Sequence, residues 1–402
     1  MRAISAAAII LSFATVWAQE QPESWARFRV WANTQEEIQR VADCDLGLFS
    51  EAVGPETDLV VKYSQLDKLK SLGLYYQFVS LLPDPRNWAE RYQTTQDYRS
   101  SYLQYAGILS QMETWRAAYP KNLSRRLIGK SRENRDIWMY RLNGVQNSNG
   151  SMPRFSVVIF SGIHAREWIT EPVGMYLVYN LLQRAKSDPT IKALLNEVSV
   201  YFVPVLNPDG YAYTWTNDRY WRKNRRNNGG GSYGVDLNRN FSKGFGGGGS
   251  SGNSNSETYR GPSAFSEPEN VALRDALANI PNLRGFIDIH SFSQLVLFPW
   301  GYTGTPPATA SELNRVGNLM RQAIFANGGK TYLHGQCYNI LYQASGISMD
   351  WAYDRGIPYS FSFELRDTGD FGFELPEDQI IPTQVEIYAA FERYLTELRA
   401  QP

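Results

Sequence analysis

Cysteine and histidine are scarce in this chain, and each scarcity excludes something. Two cysteines in 402 residues, Cys44 and Cys337, rule out a disulfide-stapled scaffold, so the fold must be held by its core. They read as buried thiols, a single long-range bridge being the alternative. Charge of one sign is also lacking: Lys plus Arg and Asp plus Glu number 40 each, which removes the bulk electrostatic case for a nucleic acid or an anionic membrane as partner. Beyond the first eighteen residues no long uninterrupted apolar run occurs, so no spanning helix is expected. There is no internal repeat. Two glycine-rich stretches, 227–231 and 244–252, lack the Lys-Ser/Thr ending and strand–helix setting of a phosphate cradle, and read as loops.

What is present is a leader, a small unit and a large one. Residues 1–18 carry a basic Arg2, a short apolar stretch at 6–13 and a Val16-Trp17-Ala18 cleavage pattern, the signature of a secretory signal. An N-terminal anchor is the alternative, but the apolar stretch is short for a bilayer. A secreted, extracellular protein is expected, off the membrane once the signal is removed. Residues 19 to about 92 read as a small α+β unit, with strands at 28–32, 59–61 and 75–82, a helix capped by Asn33 or Thr34, and another near 66–72. Pro83-Asp84-Pro85-Arg86-Asn87 breaks the pattern as a linker does. Arg86, Arg91 and Arg99 make that stretch a candidate proteolytic site, an uncut linker being the alternative. From 97 to 402, helices at 102–119 and 171–185 interleave with apolar strands at 137–142, 156–161, 199–206, 285–290 and 360–365. That pattern, with 43% hydrophobic residues, indicates an α/β domain with a largely buried sheet. Sequons occur at Asn122, Asn149 and Asn240; the last lies in a string of unusual polar residues and is not expected to be modified.

Two of the three histidines sit where a metal would be held. His164 follows an apolar run and opens His164-Ala165-Arg166-Glu167, while His290 ends Phe286-Ile287-Asp288-Ile289-His290. His and Glu three apart can face the same way on a turn or first helical turn. Two imidazoles and one carboxylate leave a tetrahedral zinc ion one open position, the composition of a catalytic site. His334 fits no such pattern and reads as an ordinary loop histidine. Glu364 lies inside the apolar run 360–365, a costly place for a carboxylate unless it is paired, protonated or near a metal. An ion pair with Arg366 or another neighbour is the plain alternative.

The strings His164-Ala165-Arg166-Glu167, Trp221-Arg222-Lys223, 236–241 (DLNRNF), 289–295 (IHSFSQL), 342–346 (YQASG) and 363–369 (FELRDTG), in that order, resemble the zinc metallocarboxypeptidases of the pancreatic A/B type. The resemblance covers the chain from about 97 to its end, and the N-terminal unit looks like that family's activation segment. It implies a central mixed, mostly parallel sheet flanked by helices, preceded by a small α+β activation domain. It implies one Zn2+ per chain on His164, Glu167 and His290. It further implies Glu364 as general base, Arg222 as stabiliser of the oxyanion, and Arg239, with Asn238 and Tyr342, as the clamp on a substrate's terminal carboxylate. Asp236 is expected to accept the far N–H of His164, capping its own loop being equally compatible.

By the same alignment Met349 stands where an acid would select Lys or Arg, and Ile347 where the A-type often has Gly. With Leu297, Ala344, Ser362 and Cys337 they form an apolar pocket, so aliphatic or aromatic C-terminal residues are the expected substrates, with large aromatics disfavoured. The expected partners are peptide and protein C-termini and a trypsin-like activating protease. Phe292 replaces the family's usual Tyr, and its usual disulfide has no counterpart. A peptide-binding relative without catalysis and an enzyme for basic residues are the competing readings. The first needs the loss of a residue that is present; the second is disfavoured by Met349.

Overall fold

The computed structural model describes residues 24–44, 46–50, 54–82, 97–144 and 152–401. The expected signal segment, the linker arginines Arg86 and Arg91 and the Asn149 sequon lie outside them. In the N-terminal unit, β1 (Trp25–Trp31), β2 (Gly47–Leu48), β3 (Glu56–Lys62) and β4 (Tyr75–Leu82) form an antiparallel sheet ordered β2-β3-β1-β4. Strand β1 alternates: Ala26, Phe28 and Val30 are buried, and Arg27 and Arg29 share the opposite face, as a period of two requires. The buried face packs on helices Gln35–Asp43 and Leu66–Ser71 through Val41 and Leu69. Thr34 starts the first helix with a reciprocal cap: its hydroxyl accepts from the Glu37 backbone N–H, and the Glu37 carboxylate accepts from the Thr34 backbone N–H. Arg27 and Arg29 converge on Asp58, each through Nε at 2.7 Å.

The second unit holds β5 (Leu123–Lys130), β6 (Asp136–Asn143), β7 (Phe155–Phe160), β8 (Val198–Val203), a hairpin of β9 (Asn227–Gly229) and β10 (Ser232–Tyr233), then β11 (Leu283–His290), β12 (Leu295–Phe298), β13 (Leu333–Gln336) and β14 (Tyr359–Glu364). Eight of these form one sheet ordered β13-β12-β14-β11-β7-β8-β6-β5. Its centre, β14-β11-β7-β8, is parallel, and β12 and β6 join it antiparallel. This is the mixed sheet expected. Strands β7, β8 and β14 are buried at every position, because helices cover both faces. Helices Tyr105–Ala118, Thr170–Arg184, Ala310–Gly328 and Ile380–Ala400 pack on one face, and Pro268–Ala278 with Ser348–Asp354 on the other.

Boundaries moved for local reasons. The strand expected over 199–206 stops at Val203, since Pro204 has no N–H to give a ladder. The helix expected from residue 102 begins at Tyr105, because the Tyr102 hydroxyl is drawn to the Leu375 carbonyl at 2.6 Å. No bridge joins Cys44 and Cys337. Among the described residues no helix is long and apolar enough to cross a membrane.

Candidate active site

The site lies at the C-terminal edge of the parallel strands, where open α/β sheets form their crevices. Strand β7 ends at Phe160, and Gly162 turns the chain at φ +63°. A Cβ there would sit 2.6 Å from the Glu171 carboxylate, so only glycine lets the loop close against the following helix. That turn delivers His164 and Glu167, with Nδ1 of the one 2.6 Å from Oε1 of the other. His290 arrives from the end of β11, its Nδ1 3.1 Å from both His164 Nδ1 and Glu167 Oε2. All three side chains are buried, and their ligand atoms lie within 4.8 Å of one another.

The donor set fits a divalent cation. Each far ring nitrogen faces a carboxylate: His164 Nε2 lies 3.2 Å from Asp236 Oδ1, and His290 Nε2 lies 2.9 Å from Asp288 Oδ2. A carboxylate there holds the proton on Nε2 and leaves the Nδ1 lone pair for a metal. Two such lone pairs 3.1 Å apart, with an anionic carboxylate beside them, repel unless a cation lies between. Charge agrees. Burial alone would raise the Glu167 carboxyl, yet His164 and His290 hold it well below the usual range. Burial would likewise lower His290, yet Asp288 and Glu167 raise it well above its ordinary value. Surroundings that favour an imidazolium also favour a bound cation, and His164, Glu167 and His290 fit a single zinc ion.

Sheet register brings Glu364 to the same place. His290 and Glu364 are cross-strand partners of the parallel pair β11–β14, with Asp288 opposite Ser362 two residues before. One face therefore carries all four side chains. The ion pair considered for Glu364 is made elsewhere: Arg366 binds Glu386, with Nε to Oε1 at 2.8 Å.

Asp236 organises the other wall and satisfies both expectations for it. It faces His164, accepts from the Asn238 backbone N–H at 2.9 Å as a loop cap, and accepts from Arg222 Nε at 3.1 Å. Burial would raise its carboxyl, but Arg222, Arg239 and His164 hold it well below the usual range. Arg222 Nη1 lies 3.9 Å from Glu167 Oε1, so the guanidinium borders the ligand cluster. Asn238 accepts from the Ser348 backbone N–H at 2.8 Å and points Nδ2 at His290. Arg239 gives Nε to the Gly249 carbonyl at 2.7 Å and Nη1 to the Asn238 carbonyl at 2.8 Å, with the Tyr342 ring 5.8 Å from its central carbon. Asn240 is buried, its amide donating to Arg260 O, Ser263 O and Ser266 Oγ, so that sequon has no place for a glycan.

Leu297, Cys337, Ala344, Ile347, Met349 and Ser362 line a pocket between these walls, with Tyr342 at its rim. It leaves only about 20 Å³ of free space, room for a water molecule or so. Glu364 is the only acid among its described lining residues. Asp350, next to Met349, turns instead to the backbone N–H groups of Gly301 and Tyr302, and burial pushes its carboxyl up to about 7. His334 stands apart on β13 and joins no ligand cluster among the described residues.

Two residues here carried no role in the sequence reading. Asp288 orients His290, and the Ser348 hydroxyl donates to Asp288. The signal for Asp288 was its place two residues before His290 on a strand, hence on the same face. Ser348, sixty positions along the chain, gave none.

The N-terminal unit lies across the rim. Leu48 O accepts from Arg166 Nη1 at 2.5 Å and Gly369 O from Arg27 Nη1 at 3.1 Å, while Phe49 packs against Tyr220, Phe292 and Phe373. Phe292 thus serves as an apolar seat. A cavity of about 370 Å³ remains between Arg27, Arg29 and Asp58 on one side and Tyr342, Phe292 and Thr368 on the other.

Compared with known proteins, the chain matches the zinc carboxypeptidase family model over residues 108–390. It is 39% identical over 296 residues to carboxypeptidase A2 of Mus musculus, covering 73% of this chain and 70% of that one. It is 39% identical over 302 residues to carboxypeptidase A1 of Sus scrofa, covering 75% and 71%. Among solved structures it superposes on thrombin activatable fibrinolysis inhibitor with a TM-score of 0.82 at 30% identity, covering 93% of this chain and 98% of that one. For carboxypeptidase A from Helicoverpa armigera the values are 0.80, 29%, 95% and 99%. Both superpositions extend past the eight-stranded unit into the N-terminal one.

Proposed function

The chain belongs to the zinc carboxypeptidase family, metal-dependent exopeptidases acting on peptide C-termini, and on that footing we propose how its own residues divide the work. His164, Glu167 and His290 would hold the zinc ion, which when bound would supply Lewis acidity. Glu364 takes a proton from the attacking water and returns it to the leaving amine. Arg222 faces the oxygen that becomes anionic. Arg239, with Asn238 and Tyr342, grips the free terminal carboxylate, which a mid-chain bond does not offer. The observation that carries this reading is the pairing of Glu364 with His290 across β11–β14, on the same pocket as Arg239.

The substrate preference we infer is for apolar C-terminal residues, aliphatic ones ahead of large aromatics. The support is a narrow pocket floored by Ile347 and Met349, whose one acid among the described lining residues is Glu364, the group assigned above as base. C-terminal sequencing of products from a mixed peptide pool tests it: Leu, Ile and Val should leave first. Faster release of Lys or Arg overturns it.

Residues 19 to about 92 act as an activation segment, in this reading, and the protein is made for secretion. The support is the seat of Leu48, Phe49 and Arg27 across the rim, together with the signal-like start and the linker arginines. A catalytically silent peptide-binding relative is the second reading, and no feature of the site favours it.

A further inference from the structure

The glycine-rich loop at 244–252 is the part of the site that the reaction above leaves unexplained, and its contacts run to the carboxylate clamp. We propose that Gly249 is a positioning residue for Arg239 and the Tyr342 loop, an inference that rests on reading Arg239 as that clamp. Two carbonyls fix the guanidinium plane. Gly249 O holds Nε at 2.7 Å and Asn238 O holds Nη1 at 2.8 Å, leaving Nη2 without a protein partner among the described residues. With the inner edge tied, the remaining donors are pre-aimed at a ligand, which lowers the ordering cost of binding.

The absence of a side chain matters as much as the carbonyl. Gly249 has φ +73°, and a Cβ there would fall 1.7 Å from Gln343 O and 3.1 Å from the Ala344 Cα. The glycine loop thus lies backbone on backbone against the residues that follow Tyr342, and Ala344 in turn lines the pocket. Neighbouring glycines meet softer obstacles. Gly248 would meet the Gln343 side-chain amide at 2.4 Å, the far end of a flexible side chain, and Gly247 the Ser345 hydroxyl at 2.6 Å. One backbone position therefore sets the height of both walls of the recognition end. Any side chain at 249 forces Gln343–Ala344 away or lifts the carbonyl off Arg239.

The test uses the zinc-loaded full chain after limited trypsin treatment, with an N-acylated dipeptide ending in leucine as substrate. Free leucine serves as a carboxylate inhibitor, and acetohydroxamate as a zinc-directed inhibitor without a carboxylate. Gly249→Ala should raise KM for the dipeptide and Ki for leucine by about tenfold or more, given how steeply misplacement acts. The acetohydroxamate Ki should stay within about twofold, because a merely structural defect would move both inhibitors. Gly248→Ala should cost less than about threefold, since Gln343 can swing aside. Gly230→Ala shares the left-handed backbone at φ +60° with no neighbour within 4 Å, and should leave all three constants unchanged. If Gly249→Ala does not fold, Gly247→Ala takes its place, with the same carboxylate-selective loss at smaller size. Unchanged leucine inhibition, or equal weakening of both inhibitors, overturns the inference. Should Arg239→Ala itself leave leucine inhibition intact, the clamp reading has failed; if it weakens leucine and Gly249→Ala does not, only the role of Gly249 has.

Discussion

In the role of base proposed for it, Glu364 is the residue whose replacement should separate chemistry from binding. Glu364→Gln keeps shape and hydrogen-bonding reach but cannot take a proton, so kcat should fall by about a hundredfold or more, with zinc content unchanged by elemental analysis. Asp288 acts through His290, whose Nε2 it faces at 2.9 Å. Asp288→Asn removes the charge that orients His290, and zinc should bind about tenfold to a hundredfold more weakly, read from its release to a chromogenic chelator. At this scale the ligands were legible because His, Glu and a distant His are rare residues at a telling spacing. Asp288 was not, because an acid inside a strand has no meaning until its neighbour His290 is known to face a metal. Asp236 was half legible: its alternatives were both real, since one carboxylate has enough lone pairs to cap a loop, hold Arg222 and orient His164 at once.

Elements followed local chemistry where they had a clear period. The sequence offered Asn33 or Thr34 as the cap of the first helix; the structure selects Thr34 and adds the reciprocal bond from Glu37, and Thr34→Ala should cost about 1 kcal/mol of the N-terminal unit's stability, measured by denaturant unfolding. Strand β5 was not readable. Its residues are mostly exposed at the sheet edge, so Arg125, Arg126 and Leu127 show no alternation. Strands β12 and β13 are four residues each, too short to carry a period. The ion cluster on β1 and β3 gives this scale its pH dependence. Burial would raise Asp58, but Arg29 and Arg27 hold it below its ordinary value of 3.8. A depressed carboxyl contributes stability above that value and loses it as pH falls through the folded one. Asp58→Asn should therefore lower the melting temperature at neutral pH, with the difference from the unaltered protein closing as pH falls below 3.8 and through the folded value, as calorimetry across pH would show.

For the whole molecule, the fold class and the order of the two units were legible, because apolar strands alternating with helices admit few architectures. How the units meet was not, since Leu48 and Phe49 are ordinary residues until Arg166 and Phe292 are placed opposite them. The uncut chain should hydrolyse a C-terminal peptide bond far more slowly than the trypsin-treated chain, in assays of one preparation before and after cleavage. Equal rates would remove the activation role from the N-terminal unit.

The same unit reaches past the rim. Ser251 Oγ donates to Asp43 Oδ1 at 2.8 Å and Ser256 Oγ to Ala42 O at 2.6 Å, so the end of the first helix is moored to the segment that follows Gly249. Lifting that helix away unmoors the segment. On the activation reading proposed above, opening the rim and freeing the segment that follows Gly249 would be one mechanical event, so cleavage should change leucine inhibition as well as the rate.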